Sequence, residues 1–503
     1  MSAHDDIASR HLLPADGLNE TPPRESQFVR IVVSEAWAHS RAGQLLVSCL
    51  VNQLVRQVRL VGAIEIISAR APSLMRIPSG ISREDFPACL APLSAWAVDG
   101  AVAVACNSSS SPADHTIYVG GASSGLPTQG HVLAILGEGW RAWAGHPAEA
   151  PAGVSPSSTN PLGPFLAAAM AAGEVFKRSR GILRGGYLSA DGISLWSGRA
   201  ASDWLKLEEG PEISGCTLPP VHVAGIGAVG NALAYVVAHL ELVQAYLVLI
   251  DDDKYDNTNL NRCLLAGWQH RDNPKVDAVA DALRAAGVGA YSFFGTVNSY
   301  IADSRRHLRQ DVARQVDDLD FEIVASCVDK GLSRQHIQGL RPRLLAGGST
   351  HNLQAKAPLY SGRPGAACLA CFNPAERDGE KVRALENQLR NMAPEVCARF
   401  LASKGLDPKA IDDYLSAARC GGLGEAAVRA LATRPPAQFS AGFVSLGAGL
   451  LLTARLIRNS IFPSSAPRLE DLIALNFLNG GILDTAIGAD ENCELRCQKD
   501  IRQ

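Results

Sequence analysis

The sequence has almost no excess of either charge. Its 47 lysine and arginine residues are balanced by 50 aspartate and glutamate residues, which leaves a net charge of −3. Proteins that bind nucleic acid or an anionic membrane surface depend on concentrated positive charge. The composition therefore gives no electrostatic reason to expect a nucleic-acid or membrane partner.

The N-terminus lacks an apolar segment. Residues 1–26 are polar and contain no hydrophobic run of the kind found in signal peptides, so we expect a flexible tail there. The most apolar later segment, residues 439–457, is glycine-rich, short for a bilayer span and contains Arg455. We expect this segment to form a buried core helix.

The 12 cysteines lack the regular spacing of a disulfide framework. Because disulfides are rare in reducing compartments, this usage indicates such a compartment and favours a cytoplasmic protein. The chain has 503 residues, of which 47% are hydrophobic. It is therefore long enough for two or three domains with substantial cores.

A glycine-rich turn is the most informative feature of the second half. The apolar strand VHVAGIG leads into Gly225, Gly227 and Gly230, which fit the pattern GxGxxG. Such glycines form a tight turn, let a phosphate approach the backbone, and allow close packing of a helix whose N-terminus favours an anion. The next strand, YLVLID, brings Asp251 and Asp253 to positions where carboxylates bind ribose hydroxyls. These features alone would also fit an NAD or FAD site.

The segment that follows this strand contains three residues that favour a triphosphate over NAD or FAD. Asn259, Arg262 and Lys275 follow in a polar segment. An NAD site needs few charges beyond the helix terminus, whereas cations here suit a triphosphate whose leaving group gains charge. Each residue alone has a plain explanation, since NLNR could be an ordinary loop and Lys275 a solvated charge at a helix start. Together they indicate an ATP site built for adenylation.

This combination resembles the ThiF/MoeB/ubiquitin-activating enzyme superfamily. The adenylation domain of that superfamily has GxGxxG, an acidic strand end, NxxR and a downstream lysine in this order. The resemblance implies that Asp251 and Asp253 hold the ribose and the neighbouring nucleotide. It also implies that Asn259, Arg262 and Lys275 contact phosphates, with Arg262 and Lys275 supporting catalysis.

Residues 321–337, FEIVASCVDKGLSRQHI, resemble the next strand-to-helix crossing of the superfamily. The resemblance makes Asp329 a catalytic residue and a ligand of Mg²⁺. A plain N-cap for the helix that follows is the alternative explanation of Asp329, and the two roles are compatible.

Two short cysteine pairs lie far apart in the sequence. Cys368 and Cys371 form CxxC, whereas Cys493 and Cys497 form CxxxC near the end of the chain. Each short loop can present two thiolates to one tetrahedral Zn²⁺, so we expect a structural zinc site, with a redox pair as the alternative. The superfamily has CxxC at both places, so the extra residue departs from its pattern at Cys497.

The superfamily members that activate ubiquitin-like proteins use a catalytic cysteine. Residues 375–436 are charged, helical in pattern and interrupted by Gly and Pro, and they correspond to the crossover region that carries this cysteine. The segment contains Cys397 and Cys420. Cys420 precedes Gly421 and Gly422, whose bare backbone could expose the thiol and lower its pKa. We expect Cys420 to be the nucleophile, with Cys397 second, and the absence of thioester chemistry as the alternative.

The first half repeats the strand–helix–strand order of the second without the glycine turn and the acidic strand end. We therefore expect an α/β fold with two Rossmann-like, ThiF-type domains. Residues 27–195 would form a degenerate, inactive adenylation-like domain, and residues 200–503 the active one with its zinc site and crossover insertion. An unrelated α/β module, such as one similar to a conjugating enzyme, is the alternative for the first half.

An inactive half fused ahead of an active one is typical of the protein-conjugating branch, such as the activating enzymes of bacterial ubiquitin-like (Bil-type) operons of antiphage defence. The resemblance implies ATP, Mg²⁺ and Zn²⁺ as cofactors. It also implies adenylation of a ubiquitin-like protein, thioester formation and transfer to a conjugating enzyme. Adenylation of a sulfur-carrier protein or small molecule without a stable thioester is one alternative, and a non-catalytic nucleotide-binding scaffold is another. A homodimer is compatible with such a fused pair.

Overall fold

A computed structural model of the protein describes most of the chain. The described residues are 2–13, 26–75, 81–107, 111–121, 130–182, 191–304, 321–329, 331–360, 366–372, 378–404, 406–416, 428, 439–490 and 493. The chain divides into two compact units, one made of residues 1–373 and 439–503 and the other of residues 374–438.

The larger unit begins with a mixed sheet. Its strands are β1 (Gln27–Val33), β2 (Val61–Ile67), β3 (Ala103–Cys106), β4 (His115–Val119), β5 (His131–Glu138), β6 (Arg141–Gly145), β7 (Asp191–Ser194) and β8 (Arg199–Ala201). They are ordered β3-β2-β1-β4-β5-β6-β7-β8. The strands from β3 to β5 run parallel, and the last three join antiparallel.

A second mixed sheet follows. Its strands are β9 (Val221–Ala224), β10 (Tyr246–Asp251), β11 (Gly289–Phe294), β12 (Ile323–Ser326), β13 (Leu344–Gly347), β14 (Ser349–His351), β15 (Gln354–Tyr360), β16 (Leu472–Asn476) and β17 (Ile482–Thr485). The order is β11-β10-β9-β12-β13-β15-β16-β17, with β14 paired to β15. Again the strands from β11 to β13 are parallel and the later ones antiparallel, so the two sheets share one topology.

The described helices complete the α/β fold. They are α1 (Ala3–Ser9), α2 (Glu35–Ala38), α3 (Arg41–Val55), α4 (Leu93–Val98), α5 (Leu162–Ser179), α6 (Ala228–His239), α7 (Lys275–Ala285), α8 (Val297–Ser304), α9 (Gly331–Gly339), α10 (Leu369–Phe372), α11 (Asp378–Asn391), α12 (Pro394–Ser403), α13 (Pro408–Ser416) and α14 (Gly442–Ser460). The prediction of an α/β protein with two largely parallel sheets is confirmed.

Buried helices join the two sheets into one unit. α5 packs on β5 and β6, α14 packs on β13 and β15, and the two helices contact each other. α3 packs against α5, and α6 against α14. These helices are apolar on nearly all sides, as expected of helices enclosed by protein. The first sheet continues to β8 (Arg199–Ala201) and the second begins with β9 (Val221–Ala224), so the expected boundary between residues 195 and 200 falls inside the first sheet. Both sheets belong to one compact unit.

The predicted core helix near the end of the chain is confirmed, because α14 is buried over nearly its whole length. Among the helices of the described residues, none combines the length and apolar character that a membrane crossing requires.

The expectation of a flexible tail over residues 1–26 is wrong for residues 2–13. Residues Ala3–Ser9 form α1, and a capping box between Ser2 and Asp5 begins this helix. Ile7 and Ala8 are fully buried. Because two small apolar positions in a polar segment carry little pattern, the sequence did not reveal that this helix packs onto the core.

In the first sheet, a tryptophan occupies the turn that corresponds to the glycine turn of the second. The connection from β1 to α3 contains α2, and Trp37 in α2 is buried. A Cβ atom added to Gly43 would lie 2.1 Å from the Trp37 carbonyl oxygen, and one added to Gly120 would lie 2.1 Å from its ring. The space next to this strand end is therefore filled by protein.

The smaller unit, residues 374–438, contains α11, α12 and α13. Its buried apolar residues form a small separate cluster: Val382, Leu389, Leu401, Ile411 and Val428. The predicted crossover insertion, residues 375–436, lies inside this unit.

We predict that Gly449→Ala destabilises the larger unit. An added Cβ would lie 2.6 Å from the Cβ of Ala232, where α14 crosses α6. Overpacking of this kind costs about 1–3 kcal/mol of unfolding free energy, so the urea midpoint should fall. Gly339→Ala in α9 is the control, because no atom lies within 4 Å of its added Cβ and alanine favours a helix. Equal midpoints for the two variants would contradict the close helix contact.

Candidate functional site

The glycine turn joins β9 to α6. Gly225 has φ +89°, and a Cβ there would lie 2.8 Å from the Cys327 carbonyl group. A Cβ on Gly230 would lie 2.0 Å from the Gly225 oxygen, so α6 can approach the turn only with glycine at this position. Gly227 is the N-cap of α6 and faces open space. The turn thus leaves the N-terminus of α6 accessible to an anion.

Asp251 fixes one side of this turn. Its carboxylate accepts hydrogen bonds from the backbone N–H of Ile226 in the turn and, at 2.8 Å, from that of Asp253. Burial raises the pKa of Asp251, although the positive charge of Lys275 opposes the shift. The predicted acidic strand end therefore lies directly beside the glycine turn.

Lys275 lies at the start of α7, next to the same acidic residues. Its Nζ donates to Asp253 Oδ2 at 2.8 Å, and its side chain is only 9% exposed. Burial acts against the charged ammonium, but Asp251 and Asp253 outweigh it, so the pKa of Lys275 is raised. The structure thus brings together three of the five side chains that the sequence predicted for the nucleotide: Asp251, Asp253 and Lys275.

Carboxylates are concentrated at this strand end. Oxygens of Asp251, Asp252 and Asp253 lie within 4.8 Å of one another, close enough to hold a cation together. Asp329 is exposed and follows β12. Because β10 and β12 flank β9, Asp251 and Asp329 lie on opposite sides of the glycine turn. Oxygen ligands of this kind suit Mg²⁺.

Asn259 and Arg262 belong to a tight turn. The Asn259 side-chain oxygen accepts a hydrogen bond from the Asp256 backbone N–H at 3.2 Å. The Asn259 backbone N–H donates to the Asp256 carboxylate at 3.1 Å. The Arg262 guanidinium donates to the Thr258 carbonyl oxygen and, at 2.8 Å, to Asn261 Oδ1. Burial lowers the pKa of Arg262. Both predicted phosphate contacts therefore also stabilise their own backbone segment.

Several residues that support this turn were not found from the sequence. Asn231 in α6 donates to the Tyr255 hydroxyl at 2.8 Å and accepts from the Leu265 N–H at 3.1 Å. Arg10, just after α1, interacts electrostatically with Asp256 and Arg262. The Asn231 amide, which directly precedes the apolar run ALAYVVA of α6, was the only local signal for any of them.

An arginine of the first half also reaches this turn. Arg56, at the end of α3, donates to the carbonyl oxygens of Leu260 at 2.6 Å and Ala266 at 2.8 Å. It is 1% exposed. The sequence gave no signal for this contact, because residues 56 and 260 are distant in the chain.

The segment after β13 forms a hairpin of β14 and β15. A Cβ on Gly348 would lie 2.6 Å from Val229 of α6 and 3.1 Å from Leu452 of α14. This glycine is needed because two helices approach the strand end, so Gly348 has a packing role.

Three of the four predicted zinc ligands lie together. The Cys368 sulfur is 3.4 Å from that of Cys493 and 3.7 Å from that of Cys371. The N–H of Asp490 donates to Cys371 at 3.4 Å. Such convergence of thiols with a backbone N–H donor suits a Zn²⁺ site. Cys497 lies outside the described residues.

Of the two candidate nucleophiles, Cys397 is among the residues that the structure describes. Cys397 lies in α12 and is half-buried within the small cluster of that unit. Cys420 lies outside the described residues. Near the glycine turn, burial raises the pKa of the Cys263 thiol and that of Cys327 to about 12, which suits inert thiols.

Both halves of the chain match models of known protein families. Residues 220–413 match the model of the ThiF family, and residues 28–195 match that of the BilD N-terminal domain. The bacterial E1-like protein BilD of Collimonas sp. (strain OK412) is 33% identical over 158 residues, which cover 30% of this chain and 33% of that protein. Protein y4jF of Sinorhizobium fredii is 25% identical over 280 residues, or 49% of this chain and 50% of that protein. The matches thus span at most half of these relatives.

Solved structures of E. coli MccB also match. The complex with AMPCPP and MccA is 15% identical, covers 55% of this chain and 66% of that chain, and has a TM-score of 0.35. The complex with ATP has a TM-score of 0.34, with 55% and 65% coverage. From the two matched domain models and the E1-like relative, we conclude that the chain is a member of the ThiF/E1-like superfamily.

Proposed function

We propose that this protein adenylates the C-terminus of a ubiquitin-like protein at the expense of ATP. The observation that carries the proposal is the joint position of the glycine turn, Asp251 and Lys275 at one end of β9 and β10. An open helix N-terminus, a carboxylate for ribose and a buried cation are the parts that a nucleoside triphosphate needs. The membership of residues 220–413 in the ThiF family supports the same function.

The chemistry demands little from the protein beyond positioning. A C-terminal carboxylate is ionised near neutral pH and can attack the α-phosphorus without a general base. The new bond joins its oxygen to that phosphorus, while the bond to pyrophosphate breaks and pyrophosphate leaves. Lys275 and Arg262 stabilise the charge that accumulates on the leaving group. Asp251 and Asp253 hold the ribose.

Mg²⁺ would be held by Asp329, which is exposed beside the glycine turn, together with phosphate oxygens. It supplies charge neutralisation on the phosphates. The acidic group of Asp251, Asp252 and Asp253 gives a second set of oxygen ligands on the other side of the turn.

The acyl adenylate is then passed to a cysteine. In our proposal the Cys420 thiolate attacks the carbonyl carbon, AMP leaves, and the resulting thioester is transferred to a conjugating enzyme. Cys397 is the second candidate, although its half-buried position in the α12 cluster favours a packing role. We further propose that the pathway acts in the bacterial cytoplasm and in antiphage defence. The cysteine usage supports a reducing compartment, and the resemblance to activating enzymes of Bil-type operons supports the defence role.

The first half supports this branch of the superfamily. It shares the strand order of the second half, yet Trp37 fills the space beside β1 where a phosphate would otherwise approach. The absence of a glycine turn and an acid at the end of β2 fits an inactive copy. We therefore propose one active and one inactive adenylation-like half within a single chain.

Adenylation of a sulfur-carrier protein or small molecule, without a stable thioester, is the second candidate. The observation that favours this second candidate is that Cys397, Cys263 and Cys327 are buried or half-buried, so none of these three described cysteines has an exposed thiol. A nucleotide-binding scaffold is disfavoured because the sequence contains Arg262, Lys275 and Asp329.

We predict that Lys275→Gln weakens MgATP binding by about tenfold or more, because a buried cation next to the phosphates is lost. Isothermal titration calorimetry with MgATP measures this effect. Lys254→Gln is the matched control, since Lys254 is an exposed lysine in the same segment and should leave binding unchanged. A wild-type protein that binds NAD in preference to MgATP would overturn the proposed function.

We predict a thiol-sensitive adduct when the protein is incubated with MgATP and a ubiquitin-like protein of a Bil-type operon. The adduct should appear on a non-reducing gel, disappear with dithiothreitol and be absent in Cys420→Ala. Cys397→Ala should still form it. Exchange of pyrophosphate into ATP without any adduct would instead support the sulfur-carrier alternative.

We predict about one zinc ion per chain, held by Cys368, Cys371, Cys493 and Cys497, because four thiolates form a closed structural site. Plasma mass spectrometry of the purified protein measures the content. Cys371→Ser should lose most of the metal, whereas Cys216→Ser, at a half-buried cysteine elsewhere, should keep it. Metal-free wild-type protein with a disulfide between Cys368 and Cys371 would favour the redox alternative.

A further inference from the structure

Arg56 is a buried cation surrounded by neutral acceptors. Its guanidinium donates to the carbonyl oxygens of Leu260 at 2.6 Å, Ala266 at 2.8 Å and Leu264 at 3.4 Å. Its Nε donates to Asn52 Oδ1 at 2.9 Å. Within the described part of the chain, no carboxylate pairs with it.

This arrangement is energetically demanding. A buried charge is costly unless polar groups compensate for lost water, and carbonyl dipoles compensate less than a carboxylate. Burial lowers the pKa of Arg56 to about 10, so the group stays charged near neutral pH. The Arg56 guanidinium carbon lies 5.5 Å from the centre of the Trp96 ring, and this cation–π contact adds a weaker attraction. Filling the space with an apolar side chain would leave three backbone carbonyls without this donor.

The acceptors of Arg56 lie on both sides of Arg262. Leu260 precedes Arg262 by two residues, and Leu264 and Ala266 follow it. Asn52, in the preceding turn of α3, adds a hydrogen bond of 3.3 Å to the Leu264 carbonyl oxygen. From the opposite side, Asn231 accepts from the Leu265 N–H at 3.1 Å. The backbone that presents Arg262 is thus held between α3 of the first half and α6 of the second.

We propose that Arg56 is a positioning residue for nucleotide binding: the first half fixes the backbone of residues 260–266, and thereby Arg262, without itself touching the nucleotide. This inference rests on the proposed adenylation function. The inference gives the first half a role in ATP recognition. This role is indirect, because Trp37 fills the turn at which the first half could otherwise have bound a phosphate.

The geometry of guanidinium is essential to this role. Arg56 reaches Leu260, Leu264, Ala266 and Asn52 from one planar group with donors pointing in several directions. A lysine ammonium at this position keeps the charge but is a single point, so it cannot serve acceptors on both sides of Arg262. Arg56→Lys should therefore loosen the segment while preserving charge.

Arg458 offers a matched control in the same chain. It is also buried, its pKa is also lowered to about 10, and its guanidinium carbon also lies 5.5 Å from a tryptophan ring centre, that of Trp196. It donates to the carbonyl oxygens of Leu195 in the first half and Pro467 in the second. Arg458→Lys thus removes a comparable contact between the halves that lies outside the nucleotide segment.

The test compares MgATP affinity by calorimetry with hydrogen exchange of the amides of residues 260–266. We expect Arg56→Lys to weaken MgATP binding about tenfold and to speed exchange in this segment. Arg458→Lys should leave both unchanged even if it lowers the melting temperature equally. In pyrophosphate exchange, Arg56→Lys should raise the KM for ATP more than it lowers kcat.

Should Arg56→Lys fail to fold, Asn52→Ala gives a milder change, because it removes one partner of Arg56 and one bond to Leu264. It should weaken MgATP binding several-fold. Equal affinity of wild type and the folded variant, or equal losses in Arg56→Lys and Arg458→Lys, would overturn the positioning role. A wild-type protein that does not bind MgATP would overturn the proposed function as well, which separates the two failures.

Discussion

The hydrogen bonds from the Arg56 guanidinium to backbone carbonyls of residues 260–266 are the constraint on which the proposed nucleotide site depends. A segment with irregular backbone has carbonyl groups that no helix or sheet satisfies, and burying them unpaired is costly. Here the first half supplies the donor. The segment can therefore be buried, compact and held at the end of the second sheet at once.

The rest of the larger unit is consistent with this dependence. α3 carries Arg56 and packs on α5, α5 packs on α14, and α14 packs on α6, which begins at the glycine turn. α1 lies against the turn of residues 257–259, with the Asn257 amide donating to Asp6 at 3.2 Å. Together these contacts connect the first half, and the chain preceding it, to the elements around the proposed nucleotide site. A first half that only filled space would not need buried polar contacts at this position.

Features that depend on neighbours in sequence were predictable. The glycine turn, Asp251, Asp253 and Lys275 are set by one strand–turn–helix unit, and the structure brings them together as expected. The cysteine pair of Cys368 and Cys371 meets Cys493 because short spacing and thiol chemistry restrict the possible partners. Other contacts between residues far apart in the chain were not predictable. Arg56 and α1 make contacts that form only when the two halves associate, and the filled turn at Trp37 joins distant segments of the first half. No local pattern records such contacts.

Trp37 gives the shared topology of the two sheets a further meaning. The Trp37 indole cannot leave its turn without disturbing the backbone near Gly43 and Gly120, so the turn stays filled. In the proposed function this single side chain would set the stoichiometry of the chain at one nucleotide, bound by the second half.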